Sequence, residues 1–411
     1  MINKTALALL FLTVTGAIFG QSNNQTSSPY SLFGIGRFNE VNTGITNALG
    51  KSGIALSGEN SINNLNPAAY ADLPKNSFMF DIGIKGEQNS YTNNQDNNVN
   101  INTNFSNISL ALAFSEKSGL GISLSPYSDV GYVLQGVTST IEGSQDTYSS
   151  YITGSGGLNN IAANYGYKLT PKLNLGILGN YFFGKIAEQE ELALEYDYLS
   201  VTENSYYSGV RFGIGMQYKF DKDFTVGSVI NLPTTLSGTQ DRDIKKIVNS
   251  VTTNETQASR DIAGFKLPLE VGAGIKYSYK SFTFNADYKH LFWNATGMED
   301  NIGKFTDSDF FGIGAQYVNN KLRTSYFEKF QYRIGCNMDN GYLDVDGVRI
   351  KNLALTSGIG IPLGGRKSFL NISYSYGQRG VVSTRLLQEK YHAFTINICL
   401  EDLWFLKRKY E

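Results

Sequence analysis

The chain has 411 residues and a formal net charge of −1; only 17% are charged, 13% are aromatic, and glycine (43), tyrosine (26) and phenylalanine (25) are abundant. The near-neutral balance leaves no basic footprint for nucleic acid and no acidic excess for a disordered chain. The glycine and aromatic content suits strands and turns better than long helices.

Residues 1–20 have the pattern of a secretory signal peptide: Lys4, an apolar stretch from Ala6 to Phe19, then Gly20 before Gln21. Position 21 is not a cysteine, so a lipoprotein anchor is not expected. No later stretch reaches the roughly 18 apolar residues of a spanning helix, which excludes a helical inner-membrane protein. Residues 21–76 begin rich in Gln, Ser and Asn, then turn glycine-rich at Phe33-Gly34-Ile35-Gly36-Arg37 and Leu49-Gly50-Lys51-Ser52-Gly53. At Asn66-Pro67-Ala68, Asn is a good N-cap and Pro a good first helical residue, so a short helix is expected from Pro67. This segment is too small and glycine-rich to hold a core of its own and must pack on something larger.

From residue 77 onward, amphipathic segments follow one another near 77–86, 106–116, 120–133, 158–168, 173–185, 208–220, 224–232, 267–279, 282–293, 309–318, 328–338, 353–362, 368–377 and 390–401. Most alternate with period two. In 208–220, Val210, Phe212, Ile214, Met216 and Tyr218 oppose Arg211, Gly213, Gly215, Gln217 and Lys219. The connections alternate too. Short turns such as Glu116–Gly119, Asp221–Asp223 and Lys280–Ser281 are separated by long polar stretches, including 134–157, 186–207 and 233–266. Outer-membrane barrels have that asymmetry, with tight periplasmic turns and long external loops. The fold expected is all-β: a 14-stranded antiparallel transmembrane β-barrel with an N-terminal hatch in its lumen. The divisions are 1–20 signal peptide, 21–76 hatch, 77–403 barrel and 404–411 periplasmic tail, with both termini periplasmic in the bacterial outer membrane. A soluble β-sandwich or propeller is the competing architecture, but it would put its apolar face inside and has no rule of alternating loop length.

Three stretches resemble the FadL/TodX family of outer-membrane transport proteins, in particular its Bacteroidota branch: Ser28-Pro29-Tyr30-Ser31-Leu32-Phe33-Gly34-Ile35-Gly36, Asn66-Pro67-Ala68 before the first strand, and the ending Trp404-Phe405-Leu406-Lys407-Arg408-Lys409. The resemblance covers the mature chain in architecture and these stretches in motif. It implies passive uptake of hydrophobic small molecules through a plugged lumen and out of a lateral opening at a kinked third strand. Pro126 falls in the third segment. Proline cannot donate to a ladder, so Ser125-Pro126-Tyr127 is the candidate opening, a harmless bulge being the plain alternative. The other functional reading is a non-transporting accessory barrel, a subunit of a larger outer-membrane complex of the type 9 secretion or outer-membrane protein assembly kind. Outer-membrane lipid is an expected partner in both. The first adds a hydrophobic ligand or detergent in the lumen, the second a protein partner.

By register the inward face carries Asp81, Lys85, Arg211, Lys219, Glu270, Lys276, Asp287, Lys289 and Arg333. Unpaired buried charge is costly, so these are expected to pair with one another or with hatch residues such as Arg37 and Glu40. The sharper alternative is a carboxylate clamp for an acidic amphipathic ligand, using Arg211 or Lys276. Neither a catalytic nor a metal constellation is evident, and no cofactor is expected. His290 and His392 fall on non-neighbouring strands, and Asp344 and Asp346 before Gly347 lack the distal acidic ligand of a calcium loop. Cys336 and Cys399 fall on opposite faces, so no disulfide is expected.

Overall fold

The computed structural model describes residues 26–403 apart from residues 27, 41, 60, 93–96, 141–146, 195–196, 249–250, 301–302, 320–324, 365–367 and 383–385. The stretch 1–20, expected as a signal peptide, and the tail from Trp404 lie outside the described residues. The N-terminal segment holds 3-10 turns at Pro29–Leu32, Thr46–Ala48 and Pro67–Asp72, and strand β1 (Arg37–Phe38). Then come β2 (Ser77–Thr92), β3 (Asn97–Ala113), β4 (Ser118–Thr140), β5 (Thr147–Lys168), β6 (Leu173–Leu194), β7 (Asp197–Lys219), β8 (Phe224–Asn231), β9 (Thr234–Val248) and β10 (Val251–Leu267). The remainder are β11 (Glu270–Tyr279), β12 (Phe282–Leu291), β13 (Gly303–Phe305), β14 (Ser308–Val318), β15 (Gln331–Asp339), β16 (Leu343–Val345), β17 (Val348–Arg349), β18 (Asn352–Pro362), β19 (Phe369–Arg379) and β20 (Gln388–Leu403).

Seventeen strands form the main sheet, and fourteen of them close into an antiparallel barrel; the other three are β1, β9 and β10. Closure is made by β2 against β20, from Ser77↔Leu403 to Thr92↔Gln388. The side chains are arranged inside out. Ile177, Phe212, Ile214, Ile313, Ile334 and Leu355 stand exposed on the outer face, while Asn107, Asn164, Asn285, Asn337, Asn371 and Asn397 are buried in the lumen. An apolar exterior around a polar interior is the pattern of a membrane barrel and the reverse of a sandwich.

Several stretches expected as loops are instead paired strand. The β6–β7 ladder runs unbroken from Leu173↔Tyr218 to Leu194↔Asp197, and β9 (Thr234–Val248) pairs with β10 (Val251–Leu267). The alternating apolar face ends where lipid ends, but Thr, Tyr and Val keep the backbone extended beyond it. The sheet forks at Pro233, which has no N–H to give to a ladder. Below it, β7 pairs with β8 from Gly213 to Lys219; above it, β7 pairs with β9 from Tyr198 to Ser208.

The segment before β2 packs against inward-facing residues of several strands, with Gly50 N donating to Thr356, Gly53 N to Asp287 and Asn64 to Ser109. Asn66 caps the turn at Pro67–Asp72 by accepting from Ala68 N at 3.0 Å. Its amide also donates to Ile54 O, Met216 O and Ser228 O at 2.9, 3.1 and 3.2 Å. The wall at that point is Gly215, where a Cβ would overlap the Asn66 side chain.

The even strand count does bring β20 back to the end where β2 starts, since Ser77 pairs with Leu403. The described chain begins at the opposite end. Ser28 Oγ donates to Glu389 Oε2 at 2.7 Å, and Tyr30 OH donates to Leu387 O, beside the other end of β20. The first described residues of the N-terminal segment therefore lie at the other end of the barrel from Ser77 and Leu403, because strand parity counts only from β2.

Candidate functional site: the β3–β4 gap and the luminal cavity

The wall is unevenly paired around β4. Its ladder with β5 extends from Ser118↔Tyr167 to Thr140↔Thr147. Its ladder with β3 covers only Gly119–Leu124 against Ile108–Ala113, roughly 20 Å of strand at about 3.4 Å per residue. Tilted by about 40°, that spans about 15 Å of an apolar band about 25 Å tall. Beyond Leu124 the two strands part.

Pro126 and its neighbours explain the parting. Pro126 pairs with Asn159 on β5, and a register shift between Pro126 and Ser128 bulges out Tyr127. The third barrel strand is thus not interrupted at Ser125-Pro126-Tyr127. It stays paired on the β5 side and loses its ladder on the β3 side. A matching irregularity in β3 lies between the partners of Gly83 and Ile84. The edge left by β3 is taken by β1, with Arg37↔Asp129 and Phe38↔Ser128, and Asn39 N donates to Tyr127 O at 2.8 Å.

Charged groups line this gap. Arg37 pairs with Glu87 at 2.5 Å and with Asp129 at 3.8 Å, and Lys85 pairs with Glu87 at 2.6 Å. Asn104 on β3 reaches Asp129 on β4 at 3.3 Å. Behind the gap lies a cavity of about 100 Å³ that Lys51, Phe105 and Pro126 help to line. Deeper in is one of about 200 Å³, walled by Phe38, Tyr127, Phe182, Trp293 and Tyr342. The two share Arg37, Phe38, Asn39, Glu40, Lys51 and Arg379. Phe38 sits 5.4 Å from Tyr127 and 5.4 Å from Trp293, ring centroid to ring centroid, so the N-terminal segment supplies part of the aromatic wall.

The lumen charges do pair with residues of the N-terminal segment: Arg37 with Glu87, and Glu40 with Lys289. Arg211 lines the larger cavity but is committed. It donates to Leu232 O at 2.8 Å and Pro268 O at 2.7 Å and lies 3.5 Å from Glu270. Lys276 faces Thr225 and Asn285 farther down β11 and lines neither cavity. It stands roughly 20 Å along the strand from Glu270, so Arg211 and Lys276 are not brought together. Arg379 and Lys51 line both cavities and were not singled out from sequence, since nothing local to either places it there.

Elsewhere, His290 bonds Asp309 at 2.8 Å and His392 bonds Tyr374 at 2.7 Å, far from each other. Asp346 and Gly347, both with positive φ, form a two-residue hairpin turn between β16 and β17. No group of three His, Cys, Asp or Glu side chains is placed to hold a metal among the described residues.

A protein-family model described as BamG matches residues 1–411. No curated protein matches the sequence. Among solved structures, the chain is similar to the Pseudomonas putida toluene transporter TodX, with TM-score 0.66, 14% identity, and coverage of 90% of this chain and 100% of that one. It is also similar to the CymD monoaromatic hydrocarbon channel, with TM-score 0.60, 15% identity and coverage of 88% and 98%. A Pseudomonas aeruginosa FadL homologue gives TM-score 0.62, 10% identity and coverage of 88% and 98%. At such identities the likeness is one of fold: a FadL-like barrel.

Proposed function

The chain belongs to the BamG family, and we propose that it is a FadL-like barrel of the bacterial outer membrane that passes small hydrophobic molecules into a plugged lumen and out through the wall between β3 and β4. The observation that carries this reading is the short β3–β4 ladder with cavities directly behind it. Exposed strand edges are not tolerated in hydrocarbon unless they line a protein-walled or wet space, so a ladder that stops within the apolar band needs such a space, and a conduit supplies one. The N-terminal segment acts as the plug, with β1 covering the free edge of β4. Asn66-Pro67-Ala68 anchors its far end.

The second reading, an accessory barrel in a larger outer-membrane complex, is favoured by the β6–β7 and β9–β10 hairpins, which extend the sheet well past the apolar belt. Among the described residues β10 is paired only on its β9 side, which leaves an edge for a partner. Purification from native membranes in mild detergent, followed by native mass spectrometry, separates the two. A lone barrel carrying an exchangeable small hydrophobic molecule supports the conduit. A stoichiometric protein partner with no such molecule overturns it in favour of the accessory role.

A further inference from the structure

Five of the cations that line the two cavities have carboxylate partners. Arg37 and Lys85 pair with Glu87, Arg211 with Glu270, Lys289 with Glu40, and Arg379 with Glu389 at 3.0 Å. Lys51 differs. It lines both cavities, and among the described residues it forms no ion pair. Asp339, the larger cavity's other carboxylate outside these pairs, accepts instead from Gly341 N at 2.8 Å.

The backbone at Lys51 is also unusual. Its φ is +57°, directly after Gly50 at +63°. A left-handed conformation disfavours a side chain with a Cβ, and a glycine would take it freely. A lysine there holds an ammonium in the lumen, with Glu40 near but not in contact as an ion pair, at a backbone cost. Burial pushes that ammonium down, while Glu40 works against the fall.

The size and lining of the space define what could meet it. A cavity of about 150 Å³ with apolar walls holds one benzene, and the larger cavity here is about 200 Å³ with Phe38, Tyr127, Phe182, Trp293 and Tyr342 around it. That is below the roughly 300–1,000 Å³ of drug-sized sites.

We propose that the cavity is a binding site for a small amphipathic anion, with a body about the size of one ring among these aromatics and a carboxylate or similar head on the Lys51 ammonium. The proposal rests on the conduit reading and names the substrate class of that same lumen. It differs from a neutral hydrocarbon in requiring the charge.

Trp293 is buried in the cavity wall, and the chain has only one other tryptophan, Trp404. In a Trp404→Phe background, quenching of Trp293 fluorescence therefore reports occupancy. The full chain in detergent is titrated with 4-methylbenzoate and with its uncharged analogue 4-methylbenzyl alcohol. The expected result is at least tenfold tighter binding of the acid. Lys51→Gly, which suits the local backbone, should weaken the acid at least tenfold and leave the alcohol unchanged, and Lys51→Arg should keep most of the preference. Equal affinity for the two probes, or an acid affinity that ignores Lys51→Gly, overturns the anion site while leaving the conduit standing. If neither probe quenches Trp293 in a correctly folded barrel, the anion site and the conduit reading fall together. Should Lys51→Gly not fold, the comparison of the two probes on the unsubstituted lysine and on Lys51→Arg still decides the matter.

Discussion

Arg37→Ala tests whether the N-terminal segment keeps the wall closed. Arg37 is 7% exposed and holds two carboxylates at once, Glu87 at 2.5 Å and Asp129 at 3.8 Å. Removing one partner of a buried ion pair costs about 3–5 kcal/mol, because the other charge is left without compensation. Part of that is recovered here. Lys85 still lies 2.6 Å from Glu87, and Asn39 still donates to Asp129 at 2.7 Å. The cost of the change is therefore near the lower bound, about 3 kcal/mol. It falls on the docked state of β1, since Glu87 and Asp129 belong to the wall and Arg37 to the segment that covers it. At about 1.4 kcal/mol per factor of ten, the docked-to-undocked ratio should drop roughly 100-fold. Planar-bilayer recordings should show a matching rise in the fraction of time spent conducting, with Arg37→Lys in between. A conductance indistinguishable from the unsubstituted chain, with the barrel correctly folded, would refute the assignment of β1 as the cover.

Asn66→Ala removes the cap on Ala68 N and leaves the carbonyls of Ile54, Met216 and Ser228 without its amide; a loss of about 2–4 kcal/mol is expected, read as a lower midpoint for heat-induced unfolding on semi-native gels. Lys51→Gly should raise that same midpoint, by about 0.5–1 kcal/mol from the left-handed backbone alone; a fall would show that Lys51 has a stabilising partner. For Glu40, burial pushes the carboxyl up, but Lys289 and Lys51 outweigh it and hold it below its ordinary 4.5. With the folded value below the unfolded one, the pair with Lys289 contributes its full stability above about pH 4.5 and loses it as pH falls through the folded value. Glu40→Gln should therefore lower the unfolding midpoint at pH 7 and have a shrinking effect as the medium is acidified below pH 4.5. An undiminished difference at pH 3 would contradict the sign.

The parts of this fold that rest on period-two alternation were legible in the chain. Val210, Phe212 and Ile214 face outward because strand side chains alternate strictly, and a one-residue slip would bury them among the lumen asparagines. The cap at Asn66-Pro67 was legible for a similar reason, since its chemistry is confined to neighbouring residues. The strand extensions were not. Residues such as Thr202, Glu203 and Asn204 on β7 and Arg242 and Asp243 on β9 pair in water, where neither face needs to be apolar, so the signal that marks a strand in lipid is missing. The site was half visible. Pro126 announces a ladder irregularity, but how far β3 and β4 part depends on Arg37 and Phe38 docking on Asp129 and Ser128 from about ninety residues away in sequence. Lys51 is a further case: that it lines both cavities without an ion pair among the described residues depends on the folded lumen, and no local pattern encodes that.

The central claim is that small hydrophobic molecules leave the lumen between β3 and β4, and a reversible closure of that gap tests it most directly. Asn104 and Asp129 meet across it. With Cys336 and Cys399 replaced by alanine, Asn104→Cys and Asp129→Cys are bridged by a short reducible bis-thiol linker in cells carrying the chain in their outer membrane. Uptake of a labelled small amphipathic probe is then followed before and after reduction. The account predicts that uptake falls to the level of cells lacking the chain when the bridge is present and returns when it is cut. Uptake that is unaffected by a fully formed bridge would contradict it.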